Sequence, residues 1–176
     1  LRERINLGLD LRGGMHLILH VQVEEAVRTE TDQVSQRLAI ALREQAIPYT
    51  EVRTAELGRV QISGIPADKT DPFRAFITEN YVGDRLAPAY ELSPVPGDPT
   101  TYLLTMTPSY TEGLRRDALR SSIETIRQRI DALGVTEPTI AEHGRGQWEI
   151  LVQLPGVDDP ARVKNIIQST ALLEIK

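Results

Sequence analysis

The chain has 176 residues, a net charge of -5, 40% hydrophobic and 26% charged residues, and no cysteine. These values are those of an ordinary globular protein, large enough to bury a core without metals or disulfides, and they exclude a disordered or fibrous chain. The acidic balance argues against nucleic acid as a partner, because phosphate backbones need a basic surface. The missing cysteines remove thiol catalysis, disulfide scaffolds and Cys-based zinc sites. No stretch approaches the ~20 apolar residues that span a bilayer. Both ends read as cut, with Leu1 in place of Met and Lys176 directly after the apolar run Ala171 to Ile175. The expectation is a piece of a longer protein.

Met15 to Val23 alternates with the period of a half-buried strand. From Glu24 to Ala46 the period becomes helical through Val27, Val34, Leu38, Ala41 and Leu42, and Ile47-Pro48 ends it. Tyr49 to Thr54 and Arg59 to Ser63 read as strands joined around Gly58. Asp71 is placed to cap a helix running to about Tyr81, with Pro72 at its first position. Leu86 to Leu92 is a further strand, and Pro94, Pro96, Gly97 and Pro99 make 93–101 a Pro-rich linker or long turn.

Tyr102 to Met106 is the next strand. A long helix follows, in which Ser109 and Glu112 have capping-box spacing and Leu119, Ile123, Ile126, Ile130 and Leu133 form one apolar stripe. Gly134 sits where a left-handed cap belongs. Strands Thr139 to Glu142 and Trp148 to Leu154 flank the Gly144-Arg145-Gly146 turn. Asp159-Pro160 opens a helix with Val163, Ile166 and Ile167 inward, and Ala171 to Ile175 closes the pattern as a strand.

Residues 15–92 and 102–175 thus both read βαββαβ. The predicted fold class is α+β, with two ferredoxin-like (βαββαβ) units, each an antiparallel sheet with helices on one face, or one interlocked pair sharing strands. The predicted organisation is a lead-in segment 1–14, a first unit 15–92, the linker 93–101 and a second unit 102–176.

Candidate chemical sites are few. His16 and His20 share a strand face with Ile18 between them and read as polar or interfacial rather than metal-ligating; His143, before the Gly-rich turn, is expected to be exposed. Gly13-Gly14 lacks phosphate-loop spacing and leads into a strand, so it reads as a turn that lets Asp10 and Arg12 pair. Asp158-Asp159 is explained by helix capping, and Ser121-Ser122 has no base nearby. Arg115, Arg116, Arg120, Arg127 and Arg129, interleaved with Glu112, Asp117, Glu124 and Asp131, read as a solvated, ion-paired helix face. No enzymatic constellation emerges, no catalytic, cofactor or metal residue is nominated, and no cofactor is expected.

Two strings go further. Leu7, Gly8, Leu9, Asp10, Leu11, Arg12, Gly13 and Gly14 read LGLDLRGG. Residues 126–138 read IRQRIDALGVTEP, carrying Arg129, Gly134, Val135, Glu137 and Pro138, and are followed by Gln153-Leu154-Pro155-Gly156. Together these closely resemble the SecD family of Sec translocon accessory subunits; the likeness is dense at residues 5–23 and 118–176, and 24–110 are not distinctive.

The resemblance implies the basal part of the first extracytoplasmic domain, on the periplasmic face of the bacterial cytoplasmic membrane, with LGLDLRGG just after a membrane helix and the head subdomain beyond the end of this sequence. It implies a membrane-embedded parent protein that works with SecF, the SecYEG translocon and a small accessory subunit. That parent would draw unfolded preprotein outward with the proton-motive force, and its proton-carrying acidic residue lies in a membrane helix outside this sequence. The leading expectation is a base coupling membrane-helix movement to a preprotein-binding head. The alternatives are a chaperone-like module binding unfolded chains itself, and an architectural docking domain. Aromatic residues are only 5% of the chain, a poor supply for a promiscuous apolar cleft, which favours the scaffold.

Overall fold

The computed structural model describes residues 14–83, 86–157, 159 and 161–167. Most of LGLDLRGG (7–13), Asp158, Pro160 and the expected strand 171–175 therefore lie outside the described residues. The elements are β1 (Gly14–His20), α1 (Val23–Glu44), β2 (Glu51–Glu56), β3 (Arg59–Ser63), α2 (Thr70–Ile77), β4 (Tyr90–Val95), β5 (Asp98–Met106), α3 (Pro108–Ala132), β6 (Thr139–His143) and β7 (Glu149–Pro155), and the described part of α4 is 161–167. Helices and antiparallel sheets are both present, so the class is α+β. Among the described residues no helix is long and apolar enough to cross a membrane.

The strands assemble into a three-stranded sheet β1-β7-β6 and a four-stranded sheet β2-β3-β5-β4. Two compact units correspond to them: unit 1, residues 1–25 with 115–176, and unit 2, residues 26–114. The tandem division at 93–101 is therefore not the one the strands adopt. β1 leaves the other early strands and pairs antiparallel with β7, while β5 joins β3 and β4. Period-two alternation states that a segment is a strand with one buried face; it does not state which strand will lie beside it.

In unit 1 the alternation places Met15, Leu17 and Leu19 of β1, Ile140 of β6 and Ile150, Val152 and Leu154 of β7 on one sheet face. Leu119, Ile126 and Ile130 of α3 and Val163 and Ile167 of α4 belong to the same buried cluster, so both helices cover that face. The expected stripe on α3 is borne out, with Ile123 and Leu133 packing at its margin. Ile166 is half-buried. The Asp159 side chain accepts the amide hydrogen of Arg162 at 3.0 Å, the expected cap of α4.

Unit 2 packs α1, through Val27, Val34, Leu38 and Leu42, and α2, through Phe73 and Ile77, against Val60, Ile62, Tyr90, Tyr102, Leu104 and Met106 of its sheet. Thr31, fully buried in α1, donates to the Val27 carbonyl and accepts the Gly58 amide at 3.0 Å. The Gly58 carbonyl in turn accepts from the Met106 amide at 2.8 Å. The β2–β3 turn is thus tied to both a helix and β5.

Several local expectations are corrected. Residues 93–101 are no linker: β4 and β5 form a hairpin, with Val95 opposite Asp98. Proline is tolerated there because β4 is an edge strand whose N–H can be spared, and the Asp98 carboxylate holds the Thr100 amide and both threonine hydroxyls of Thr100 and Thr101. The strand expected at 86–92 begins at Tyr90 instead. Asp71 does not cap α2, which starts at Thr70 after a 3-10 turn over Ala67–Lys69 whose Lys69 amide bonds the Pro66 carbonyl. Pro72 still falls in the first turn, where its missing N–H costs nothing. α3 is capped by Thr107, whose hydroxyl accepts the Tyr110 amide at 3.3 Å, with Pro108 at the first helical position.

Three phenols in unit 2, those of Tyr81, Tyr90 and Tyr110, titrate above their ordinary value. The Glu30 carboxylate accepts from the Tyr90 and Tyr110 hydroxyls, each at 3.3 Å, and from Arg37 at 3.0 Å. Burial, and next the neighbouring Tyr110, push the Tyr90 phenol far above its ordinary value near 10; burial also raises Tyr81 and Tyr110. A phenol kept neutral in the folded state stabilises it fully below the unfolded pKa, and that contribution is lost as pH rises beyond it. Melting temperature should therefore fall steeply above about pH 10. Tyrosinate absorbance at 295 nm should show Tyr81, Tyr90 and Tyr110 ionising later than free tyrosine, and Tyr90→Phe should flatten the alkaline decline.

Candidate functional site

The residues singled out in the sequence are scattered along the chain, and the register of unit 1 brings several of the described ones together. Gly14 lies opposite Pro155, Met15 opposite Leu154, and His16 opposite Gln153, which faces Thr139 on its other side. Thr139 follows directly on Val135, Glu137 and Pro138. The start of β1, the end of β7 and the connection from α3 into β6 thus meet at one end of a single sheet.

Most of these residues act through the backbone. Gly134 adopts φ +72° just beyond α3, where its amide bonds the Asp131 carbonyl at 3.0 Å; this is the expected left-handed cap. Gly156 ends β7 at φ +65°, and Glu137 takes φ +54° before Pro138. Leu154 is core, and Val135 packs against its margin. The side chains turned elsewhere are few. Gln153, half-buried, lies on the sheet face opposite the core, Arg129 is in the last turn of α3, and Glu137 is exposed.

All three histidines map to that same outer face. His16 shares a row with Gln153 and Thr139; four residues further along β1, beyond the row of Ile18, Leu151 and Ala141, His20, Glu149 and His143 form another row across the three strands. His143 is half-buried rather than exposed, because it ends a paired strand. Among the described residues no group of three His, Asp or Glu is arranged to hold a metal ion.

On α3, Arg120 pairs with Asp117 at 3.6 Å and Arg127 with Glu124 at 3.2 Å, the solvated face expected; such exposed pairs contribute little. Arg115 reaches further, to Glu24 in the first turn of α1, at 2.9 Å. Sequence reasoning missed this pair and the Glu30, Tyr90 and Tyr110 cluster, since neither has a local spacing to betray it.

Comparison with known proteins places these residues in a family. The family model described as "Protein translocase subunit SecDF, P1 domain, N-terminal" matches residues 119–176. The protein translocase subunit SecD of Koribacter versatilis is 44% identical over 180 residues, covering 100% of this chain and 32% of that protein. Its counterpart in Calditerrivibrio nitroreducens is 33% identical over 99% of this chain and 32% of its own length. That of Escherichia coli K12 is 32% identical over 99% of this chain and 27% of its own length. The chain belongs to the SecD family, and it spans about a third or less of the relatives it matches. No solved structure matches it.

The backbone role assigned to Gly134 has a direct test. Space for a Cβ is open there, so Gly134→Ala should cost only the left-handed strain, about 1–2 kcal/mol. Urea denaturation should show an earlier midpoint with an unchanged slope.

Proposed function

We propose that this chain is the basal part of the first extracytoplasmic domain of a SecD-type subunit that assists preprotein translocation through the Sec channel. In this reading unit 1, whose strand order β1-β7-β6 with α3 between β1 and β6 follows a split βαβ, is a ferredoxin-like base. It passes proton-motive-force-driven movement of membrane helices to a preprotein-binding head. Its partners are SecF, the SecYEG translocon, a small accessory subunit and unfolded preprotein, and its place is the periplasmic face of the cytoplasmic membrane.

The observation that supports the reading is that Gly14, the last residue of LGLDLRGG, meets Gln153 to Pro155 and the approach to Thr139 at one end of one sheet. A segment arriving at Gly14 enters a ladder of seven residue pairs directly, and force on that segment is borne by the whole of β7 rather than by a loop. A mechanical role also suits a set of residues fixed mainly by backbone geometry.

The test is made in the full-length subunit, in cells lacking their own copy. Gly14→Val, at the first pair of the β1–β7 ladder, should slow processing of an exported precursor in pulse-chase labelling or lower the melting temperature of the isolated chain. Unchanged precursor processing together with unchanged melting overturns the assignment.

A further inference from the structure

Strain in unit 1 gathers around the first turn of α1. The connection from β6 to β7 turns through Gly144 at φ +69° and Gly146 at φ +72°, and then through Trp148 at φ +55°. Glycine takes such a conformation freely, whereas a bulky side chain is strained there. Trp148 is the chain's one tryptophan, and its half-buried ring packs at the margin of the unit 1 core. In this conformation its carbonyl accepts the Val21 amide at 2.8 Å.

That bond opens a relay into α1. The Val21 carbonyl accepts the Val23 amide at 2.9 Å, and the Gln22 carbonyl accepts the Glu25 amide at 3.0 Å. Gln22, immediately before the helix, is not among the residues that cap an N-terminus well. The first turn is held instead by the Trp148 carbonyl, by burial of Val21 and Val23 in the core, and by Arg115, which meets Glu24 at 2.9 Å. A second tension lies in that last contact. The Arg115 Nε is buried with no hydrogen-bond partner among the described residues, and a buried donor left unpaired keeps its desolvation penalty.

We propose that Trp148 and Arg115 form a latch on the first turn of α1, with a closed state, the one seen, and an open one. On opening, Trp148 relaxes to an extended backbone, its carbonyl leaves Val21, Glu24 parts from Arg115, and residues 21–25 fray. The left-handed Trp148 and the unmet Nε favour release, since an extended φ relieves the first and water the second. The indole contact, the ion pair and burial of the two valines favour closure. These opposed contributions make the turn the part of unit 1 that opens alone, while the β1–β7 ladder stays intact. The latch lies at the end of the sheet opposite Gly14 and Pro155. It rests on the geometry of unit 1 alone and holds or fails apart from the function proposed above.

The test is amide hydrogen exchange on the 176-residue chain, read residue by residue by NMR. Protection at Val21, Val23 and Glu25 should be about ten-fold lower, or more, than at Val152 in the middle of β7. Trp148→Ala keeps the left-handed strain but loses the ring, and should lower Val21 protection by about a further ten-fold. Trp148→Gly loses the ring and the strain together, so its Val21 protection should stand about five-fold above that of the alanine variant. Arg115→Gln, which removes the ion pair, should lower protection at 21–25 and leave Val152 unchanged. Val21 as well protected as Val152 in the unaltered chain overturns the proposal. So does equal protection in the alanine and glycine variants, or a loss in the Arg115 variant that spreads along β7.

Discussion

The antiparallel pairing of β1 with β7 is the constraint on which unit 1 depends. Seven residues on each side are matched, from Gly14 with Pro155 to His20 with Glu149, and the Val21 amide continues onto the Trp148 carbonyl at 2.8 Å. This register decides which face each side chain takes. A slip by one residue would carry Met15, Leu17 and Leu19 out of the core and bring His16 and His20 into it. Burial of the apolar set therefore fixes the register, and the register fixes the end of the sheet where the family residues meet. The two strands come from opposite ends of the described chain, with all of unit 2 between them. Loop-closure entropy rises only logarithmically with the length enclosed, so such an insertion is tolerated when the enclosed chain folds on a core of its own.

Unit 2 has that core, and its organisation explains how a chain poor in aromatic rings can still use them structurally. Phe73 stacks near Tyr102 at 5.0 Å, and Phe76, Tyr81, Tyr90 and Tyr110 form a run of ring contacts from 5.3 to 6.5 Å. The run ends on a polar group: Glu30 takes both the Tyr90 and Tyr110 hydroxyls, so the phenols are buried without leaving donors unmet. Arg37 balances the carboxylate from the same helix. Aromatic side chains used in this way are unavailable for a broad apolar surface.

The sequence made the elements legible wherever one residue's neighbours along the chain decide its state. Period-two runs gave β1, β3 and β7, and the four-three stripe gave α3 with its buried Ile126 and Ile130. Asp159 and Gly134 announced a helix start and a helix stop through hydrogen bonds that span only a few residues. Partners were not legible. β5 goes to β3 and β4 because Leu104 and Tyr102 find Val60 and Ile62 across the ladder, a fact with no local trace, and so the two βαββαβ strings concealed strands exchanged between halves. Caps were misplaced by one or two residues where several candidates stood together: Thr107, Ser109 and Glu112 all suit the start of α3, and only packing of the Thr107 hydroxyl against the Pro88 carbonyl at 2.7 Å decides among them.

The candidate site itself separates into two physical kinds, and the division bears on how such a domain works. Gly134, Pro138, Pro155 and Gly156 have little side-chain chemistry to offer, and what they determine is where the chain reverses at one end of the sheet. Leu154 and Val135 determine how firmly that end is held against α3. Gln153, with His16 and Thr139 beside it, is the part turned away from the core. A binding pocket would concentrate polar groups around a concavity; this set instead fixes the relative positions of three chain segments and leaves one flat polar row outside them. Such an arrangement resists deformation along the β1–β7 ladder, where breaking any pair requires desolvated backbone groups to separate.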